Sequence, residues 1–170
     1  MNPAWIIRTG RLVLTPVAWP DLPELQALKA DPRVFAQMLG GVRAPAQTIA
    51  ELADELAFWG AHGVGIWTVR AAVEAPLFGL SGLHARPDRR GLALRFAFRP
   101  EARRRGLAAE AAGAALRFAH ERARLERVVA AARESNFSSR QVLGAIGMVP
   151  CERFVQNGHP MLLYESLRGR

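Results

Sequence analysis

The sequence is poor in cysteine, with Cys151 as its only one among 170 residues. An internal disulfide and a multi-cysteine metal site are therefore excluded, and we expect this thiol to be partly buried and inert. No apolar run approaches the roughly 20 residues that a membrane-spanning helix needs. The N-terminal stretch also lacks the basic start, the long apolar middle and the small-residue cleavage site of a secretory signal. These absences predict a cytoplasmic protein with no membrane segment and no bound metal.

Lysine is nearly absent as well, because Lys29 is the only one and arginine supplies almost all of the positive charge. A net charge of +8 raises the question of a nucleic-acid partner. However, the arginines are spread from Arg8 to Arg170, and the accompanying abundance of alanine is typical of GC-rich coding sequences. We therefore do not expect nucleic acid to be the partner.

Half of the residues are hydrophobic, which predicts a globular domain, and we expect one domain over residues 1–170. Apolar periods of two and of 3.6 residues alternate along the chain. They predict strands at 9–17, 64–71, 77–84, 92–98, 126–132, 148–155 and 160–165. They predict helices from Asp21, over 31–38 as a short turn, and at 45–61, 105–122 and 135–146. This order predicts an α/β (α+β) fold with a mixed, mostly antiparallel sheet and about four helices.

A basic stretch with one glycine, RPEARRRGLAAEA at 99–111, follows the predicted strand at 92–98. A helix that starts there presents backbone N–H groups without internal partners and a partial positive charge, which together suit a phosphate. Gly106 and Ala108 keep side-chain bulk away from that position, and the arginines at 103–105 add charge-assisted hydrogen bonds. The stretch is therefore suited to a pyrophosphate, although a solvated helix start without a ligand is the simpler alternative.

Two other phosphate motifs fit this stretch poorly. A P-loop needs Gly-x4-Gly-Lys followed by Ser or Thr, and no lysine stands here. A dinucleotide-binding fold needs Gly-x-Gly-x-x-Gly near a first strand and an acidic residue about 20 positions later, and neither is present.

The segment FAFRPEARRRGLAAEA, residues 96–111, resembles the acyl-CoA-binding segment of the GNAT acetyltransferases. About thirty residues later, NFSSRQVLGAIGM, residues 136–148, is similar to the second signature of that family, in which an asparagine begins a helix. The opening TGRLVLTPV, the strand around Trp67, the GLSGL strand and the Asn157–Gly158 turn are similar to the RimJ/RimL-type branch, which acetylates protein N-termini and small amines. The resemblance covers nearly the whole chain.

The resemblance implies a sheet that splays apart around acetyl-CoA as co-substrate. It implies that backbone groups of Phe96, Ala97 and Phe98 pair with the pantetheine arm and that the amides of 104–109 hold the pyrophosphate. Asn136 would bond or shape the pantetheine side, although it is equally suited to cap a helix. The implied cofactor-binding residues are Phe96, Ala97, Phe98, Arg103, Arg104, Arg105, Gly106, Leu107, Ala108, Ala109, Asn136 and Ser139.

The implied reaction is direct transfer of the acetyl group to a neutral amine, without a covalent enzyme intermediate. Leu143 stands where many family members carry a tyrosine that acts as general acid. The branch often offers a serine instead, which makes Ser139 the candidate proton donor. Its alternative role is a hydroxyl that bonds back to the preceding turn.

The usual glutamate position of the family corresponds to Ala93, and Arg95 stands where a glycine is common. The base is therefore water or His84, whose alternative is a surface residue at a strand end. The candidate walls of the acceptor pocket are Phe35, Trp67 and His84, with core packing as the alternative for the two aromatic residues.

The acceptor is left open between a protein N-terminus and a small-molecule amine. A cationic protein suits a strongly cationic amine only where the pocket is locally acidic, and Asp31, Asp54 and Glu55 are the candidates for that role. This favours a peptide or a neutral amine, bound by a monomer or a homodimer. A non-catalytic acyl-CoA-binding module is the second alternative and a basic RNA- or ribosome-associated protein the third.

Overall fold

A computed structural model describes all of residues 1–170. The eight strands are β1 Ile7–Arg8, β2 Val13–Pro16, β3 Ile66–Arg70, β4 Leu77–Ala85, β5 Leu92–Phe98, β6 Arg127–Arg133, β7 Val149–Gln156 and β8 His159–Leu167. The five α-helices are α1 Leu22–Ala30, α2 Pro32–Phe35, α3 Pro45–His62, α4 Leu107–Glu121 and α5 Phe137–Ala145. No helix combines the length and the apolar character that crossing a membrane requires.

The strands form one sheet in the order β1-β2-β3-β4-β5-β6-β8-β7. Every neighbouring pair is antiparallel except β5 and β6, which run parallel. The predicted α/β fold with a mixed, mostly antiparallel sheet is therefore confirmed. The helix count is five because the predicted turn at 31–38 forms a short helix, where Asp31 caps α2 by accepting from the Arg33 N–H.

Strands β5 and β6 share only one register position, Ala93 opposite Val129. Beyond it, the C-terminal halves of the two strands diverge, and β6 pairs along its whole length with β8 on its other side. This is the splayed sheet that the resemblance implied. The alanines of β6 weaken its intrinsic strand preference, but pairing and burial outweigh that preference.

Strand β4 lies close enough to β5 that a side chain cannot fit at Gly79. A Cβ atom there would lie 2.1 Å from the Ala97 carbonyl oxygen. The first glycine of the GLSGL strand is thus required by a close backbone approach. This approach fixes the position of β5 beside the splay.

The main core is a cluster of 33 buried residues, and a smaller cluster of Ala93, Val129 and Leu163 is separate from it. Trp67 lies inside the main core, with its ring centroid 4.7 Å from that of Trp59 and 5.1 Å from that of Phe118. In contrast, β7 is an edge strand that is largely exposed, and Cys151 lies on it. The expectation of a partly buried thiol was therefore wrong, because the strand that carries Cys151 has only one neighbour.

Candidate active site

A cavity of about 1300 Å³ opens where β5 and β6 diverge. The loop before α4, the start of α5 and the β7–β8 turn all contribute to its wall. Helices α2 and α3 close another part of the wall. No group of three or more histidine, cysteine or acidic residues is placed to hold a metal ion.

The loop before α4 presents an uninterrupted row of free backbone donors. None of the N–H groups of residues 104–109 donates to a backbone or side-chain oxygen. Gly106 immediately precedes the 15-residue helix α4 and has φ of +74°, a left-handed conformation that glycine adopts without steric cost. We call these six N–H groups the amide row. It combines unpaired donors with the positive end of a helix, as an anion site requires.

The three arginines beside the amide row have different surroundings. Arg103 donates to the Phe98 carbonyl at 3.3 Å and to the Arg33 carbonyl at 2.8 Å, which ties the loop to β5 and to α2. Arg105 lies over the Phe78 ring, 5.4 Å from its centroid. Arg104 is exposed and makes no hydrogen bond or ion pair. The sequence placed all three near a pyrophosphate, and the structure makes Arg103 a link between elements.

A fourth arginine that the sequence analysis did not single out holds the amide row in place. Arg11 donates to the Arg105 carbonyl at 2.7 Å and pairs with Glu110 at 2.7 Å. A hydrogen bond from Thr9 and the contacts of Arg11 lower the pKa of Glu110. Glu110 therefore stays ionised in the first turn of α4 and anchors Arg11.

The backbone N–H and C=O groups of β5 point alternately toward β4 and toward the gap between β5 and β6. The Ala97 backbone lies opposite Leu80, and the Arg99 N–H donates to the Phe78 carbonyl at 2.8 Å. Because antiparallel pairing alternates in direction, Ala97 bonds toward β4, whereas Phe96 and Phe98 direct their backbone groups toward the gap. The Ala97 backbone is thus used by the sheet, which corrects its implied pairing with a pantetheine arm. Ala97 is nevertheless one of the residues that line the cavity.

At the start of α5, Asn136 and Ser139 both line the cavity. The Asn136 side chain caps the helix by accepting from the Ser139 N–H at 3.2 Å, as the capping interpretation predicted. The Ser139 hydroxyl has no hydrogen-bond partner and therefore does not bond back to the preceding turn. Leu143, one helical turn later, is buried in the core.

His84 also lines the cavity, at the end of β4, as predicted. Its Nδ1 lies 3.2 Å from the Ala85 carbonyl oxygen, which favours a proton on Nδ1 and leaves Nε2 as an acceptor. Burial and, secondarily, the charge of Arg95 lower the pKa of His84 to about 4. A neutral imidazole of such low basicity is a poor base for an ammonium group.

The two aromatic residues expected to wall the acceptor pocket do not reach the cavity. Trp67 is fully buried, and its indole N–H donates to the Trp5 carbonyl at 2.7 Å. Phe35 is fully buried on α2 and does not line the cavity. Both predictions are corrected in favour of core packing, because each ring is enclosed by the sheet and its helices.

Five charged side chains gather where α1, α3 and β5 meet. We call them the charged cluster, which consists of Lys29, Arg43, Glu51, Glu55 and Arg95. All but Lys29 line the cavity. Of the three acidic residues proposed for the acceptor pocket, Asp54 and Glu55 line the cavity, whereas Asp31 pairs with Arg33 and does not.

Comparisons with known proteins bear on both the fold and the site. A family model described as an acetyltransferase (GNAT) domain matches residues 11–149. An acetyltransferase from Agrobacterium tumefaciens superposes with a TM-score of 0.83 at 26% identity, covering 95% of this chain and 93% of its own. A GNAT-family acetyltransferase from Bordetella pertussis superposes with 0.82 at 24% identity, covering 94% and 98%. RimL, a ribosomal-protein alpha-N-acetyltransferase in complex with coenzyme A, superposes with 0.81 at 15% identity, covering 95% and 97%. No curated protein matches the sequence.

Proposed function

The chain belongs to the GNAT acetyltransferase family, and from this premise we propose that it transfers an acetyl group from acetyl-CoA to a primary amine. The amide row at residues 104–109 is the observation that carries the proposal. Six free N–H donors at a helix start suit a pyrophosphate, and acetyl-CoA carries one together with an activated acetyl group. The RimL neighbour binds coenzyme A in a similar fold, which supports this choice of co-substrate.

The remaining binding residues follow the length of the gap. Phe96 and Phe98 offer backbone groups along the edge of β5 that faces β6. The Phe98 carbonyl already accepts from Arg103, so its N–H is the group still available to an acyl oxygen. Asn136 keeps its side-chain nitrogen free while its oxygen caps α5, and that nitrogen is available to a carbonyl of the pantetheine arm.

In the proposed transfer, the amine nitrogen forms a bond to the acetyl carbon and the bond from that carbon to sulfur breaks. The amine loses a proton, and the departing thiolate gains one. Ser139 is our candidate for delivering that proton, because the residue lines the cavity and its hydroxyl has no hydrogen-bond partner. The acceptor is a protein N-terminus or a small-molecule amine.

We assign the removal of the proton from the amine to water. Ala93 offers no carboxylate where family members carry one, and the low pKa of His84 argues against the imidazole. The amine must then reach the cavity in its neutral form. The rate is accordingly expected to rise with pH until the free amine predominates.

The proposal is tested by mass spectrometry of products formed from acetyl-CoA and a panel of amines and N-terminal peptides. Ser139→Ala should lower kcat about tenfold or more with little change in the KM for acetyl-CoA, since general acid catalysis typically contributes at least that much. Ser135→Ala, at an exposed serine outside the cavity, is the matched control.

Two outcomes would count against parts of this proposal. Tight acetyl-CoA binding without turnover of any amine would favour a non-catalytic acyl-CoA-binding module, which the leucine at position 143 and the alanine at position 93 would then explain. If turnover is unchanged in Ser139→Ala at every pH, the proposed acetyltransferase function still holds, but Ser139 is not the proton donor.

A further inference from the structure

The charged cluster is held together by the only lysine of the chain. Lys29 is fully buried, and its Nζ lies 2.8 Å from Glu51 Oε2 and 3.1 Å from Glu55 Oε1. Arg43 binds the other oxygen of Glu51. Both oxygens of Glu51 and one oxygen of Glu55 are thereby occupied. The cluster contains three cationic and two anionic groups, so one positive charge within it has no counterpart.

Arg95 is the cation without a partner. Its Nε and Nη2 atoms are both buried, and neither has a hydrogen-bond acceptor. The guanidinium lies over the Phe35 ring, 5.4 Å from its centroid, and the residue lines the cavity. The second oxygen of Glu55, Oε2, is also buried and unpaired, yet it makes no hydrogen bond with Arg95. A buried guanidinium with unmet donors is costly unless a ligand satisfies it.

The identity of the two free atoms indicates the chemistry of that ligand. Nε and Nη2 lie side by side on one edge of the guanidinium, and this edge can bind both oxygens of a carboxylate with two parallel hydrogen bonds. A carboxylate would also supply the missing negative charge of the cluster. A neutral or purely cationic acceptor would do neither.

We propose that Arg95 binds a carboxylate of the acceptor, so that the amine acetylated here belongs to a molecule that carries both groups. This inference rests on the proposed function and narrows its substrate class. The carboxylate is either the α-carboxylate of a free amino acid or the side chain of an acidic residue at a peptide N-terminus. Arg95 is then a specificity-determining residue of the acceptor site.

The experiment compares acceptors that differ only in the carboxylate. One arm uses free alanine, leucine and phenylalanine, each against its amide, and a second arm uses tetrapeptide amides that begin with aspartate or with asparagine. We expect kcat/KM to favour the carboxylate member about 10- to 100-fold in one arm, the range of a hydrogen-bonded charge. The preferred arm identifies the source of the carboxylate.

The Arg95→Met variant keeps an apolar stem and removes the guanidinium. It should lower kcat/KM for the carboxylate acceptors to the value for their amides and so abolish the preference, while the affinity for acetyl-CoA, measured separately, reports whether the fold is intact. Arg117→Met removes an arginine that is exposed on α4 and outside the cavity, and it should keep the full preference. Should Arg95→Met fail to fold, Arg95→Lys retains the charge without the paired donors and should keep only a small part of the preference.

Equal kcat/KM values within both arms, or a preference that survives in Arg95→Met, would overturn the inference and leave Arg95 as an internal counter-charge for Glu55. If no amine is acetylated, the proposed function fails separately. Calorimetry then tests separately whether Arg95 binds a carboxylate. The CoA-loaded protein is titrated with each N-acetylated amino acid and with its amide, and equal affinities would refute carboxylate binding.

Discussion

Two parts of the cavity wall present hydrogen-bond donors and charge in different ways. The amide row at residues 104–109 presents backbone N–H groups, and the arginines around it are exposed or used to tie elements together. The charged cluster presents largely buried side chains from α1, α3, β5 and the loop before α3, and all of them except Arg95 are paired with one another. A backbone site depends on the conformation of one loop, whereas a side-chain site depends on distant residues meeting correctly.

This difference has an energetic consequence. Most residues of the amide row line the open cavity, where water can bond to their N–H groups, so these donors cost little stability before a ligand binds. Buried charges must be compensated within the fold, because each unpaired one carries a desolvation penalty. Substitutions in the amide row should therefore affect ligand binding, and substitutions in the charged cluster should affect folding as well.

We expect Lys29→Met to have the largest effect, which is a loss of folding stability. Removing the ammonium leaves Glu51 and Glu55 without their shared partner, and breaking a buried pair in this way costs about 3–5 kcal/mol. Chemical denaturation at pH 7 measures the loss in the free energy of unfolding. Burial alone would raise the pKa of Glu51, but Lys29 and Arg43 outweigh it and lower that pKa.

The pH dependence of this stability loss follows from the lowered pKa of Glu51. A carboxyl whose pKa is lower in the folded state than in the unfolded state stabilises the fold at pH values above its unfolded-state pKa. This contribution is lost as the pH falls through the folded-state pKa. The difference between Lys29→Met and the unsubstituted chain should therefore shrink toward low pH. Adding Glu55→Gln to Lys29→Met should restore part of the stability. A loss below about 1 kcal/mol at pH 7 would show that the cluster is solvated.

We expect Gly106→Asp to have the second-largest effect, which is weaker binding of acetyl-CoA. The new carboxylate would stand at the helix start where we propose that the pyrophosphate binds, and although Arg11 Nη2, 3.4 Å from the added Cβ, offsets part of the repulsion, the substitution should raise the Kd for acetyl-CoA at least about tenfold. Gly106→Asn has the same shape and tolerates the left-handed conformation, so it should raise the Kd much less. Isothermal titration measures both. The comparison separates charge repulsion from backbone strain.

A single arginine matters less if the backbone holds the ligand. Arg104→Ala removes an exposed, unpaired guanidinium and should raise the Kd no more than about fivefold, with the effect fading at high salt. If Arg104→Ala proved more damaging than Gly106→Asp, the amide row would not be the principal anion site.

The amide row could be predicted from the sequence because its determinants are local. A strand over 92–98, a glycine at 106 and a helix after it stand in one continuous stretch, and the structure has β5 at those same bounds. The hairpin turn at Asn157–Gly158 was equally local, and both residues have the positive φ angles such a turn requires. These features depend on neighbouring residues alone.

The charged cluster could not be predicted, since Lys29 and Glu51 are 22 positions apart and no short pattern links them to Arg95. Two signals were nevertheless present. Lys29 is the only lysine in a chain that otherwise uses arginine, and Arg95 interrupts the apolar strand LALRFAF. A charge in the middle of a predicted buried strand indicates a buried partner or a ligand. The sequence alone does not say which.

The smallest expected effect concerns His84, which lies on the cavity wall near Arg95, Arg86 and Asp88. Burial holds its pKa at about 4, below the usual value near 6.5. Between these two values the unfolded chain binds a proton that the folded chain does not, so His84 lowers stability as the pH falls from 6.5 toward 4. His84→Asn should remove about 0.8 kcal/mol of the stability lost between pH 7.5 and pH 6. The comparison uses denaturation at both pH values, and NMR titration of the imidazole gives the midpoint. A midpoint near 6.5 would mean that the wall around His84 is open to water.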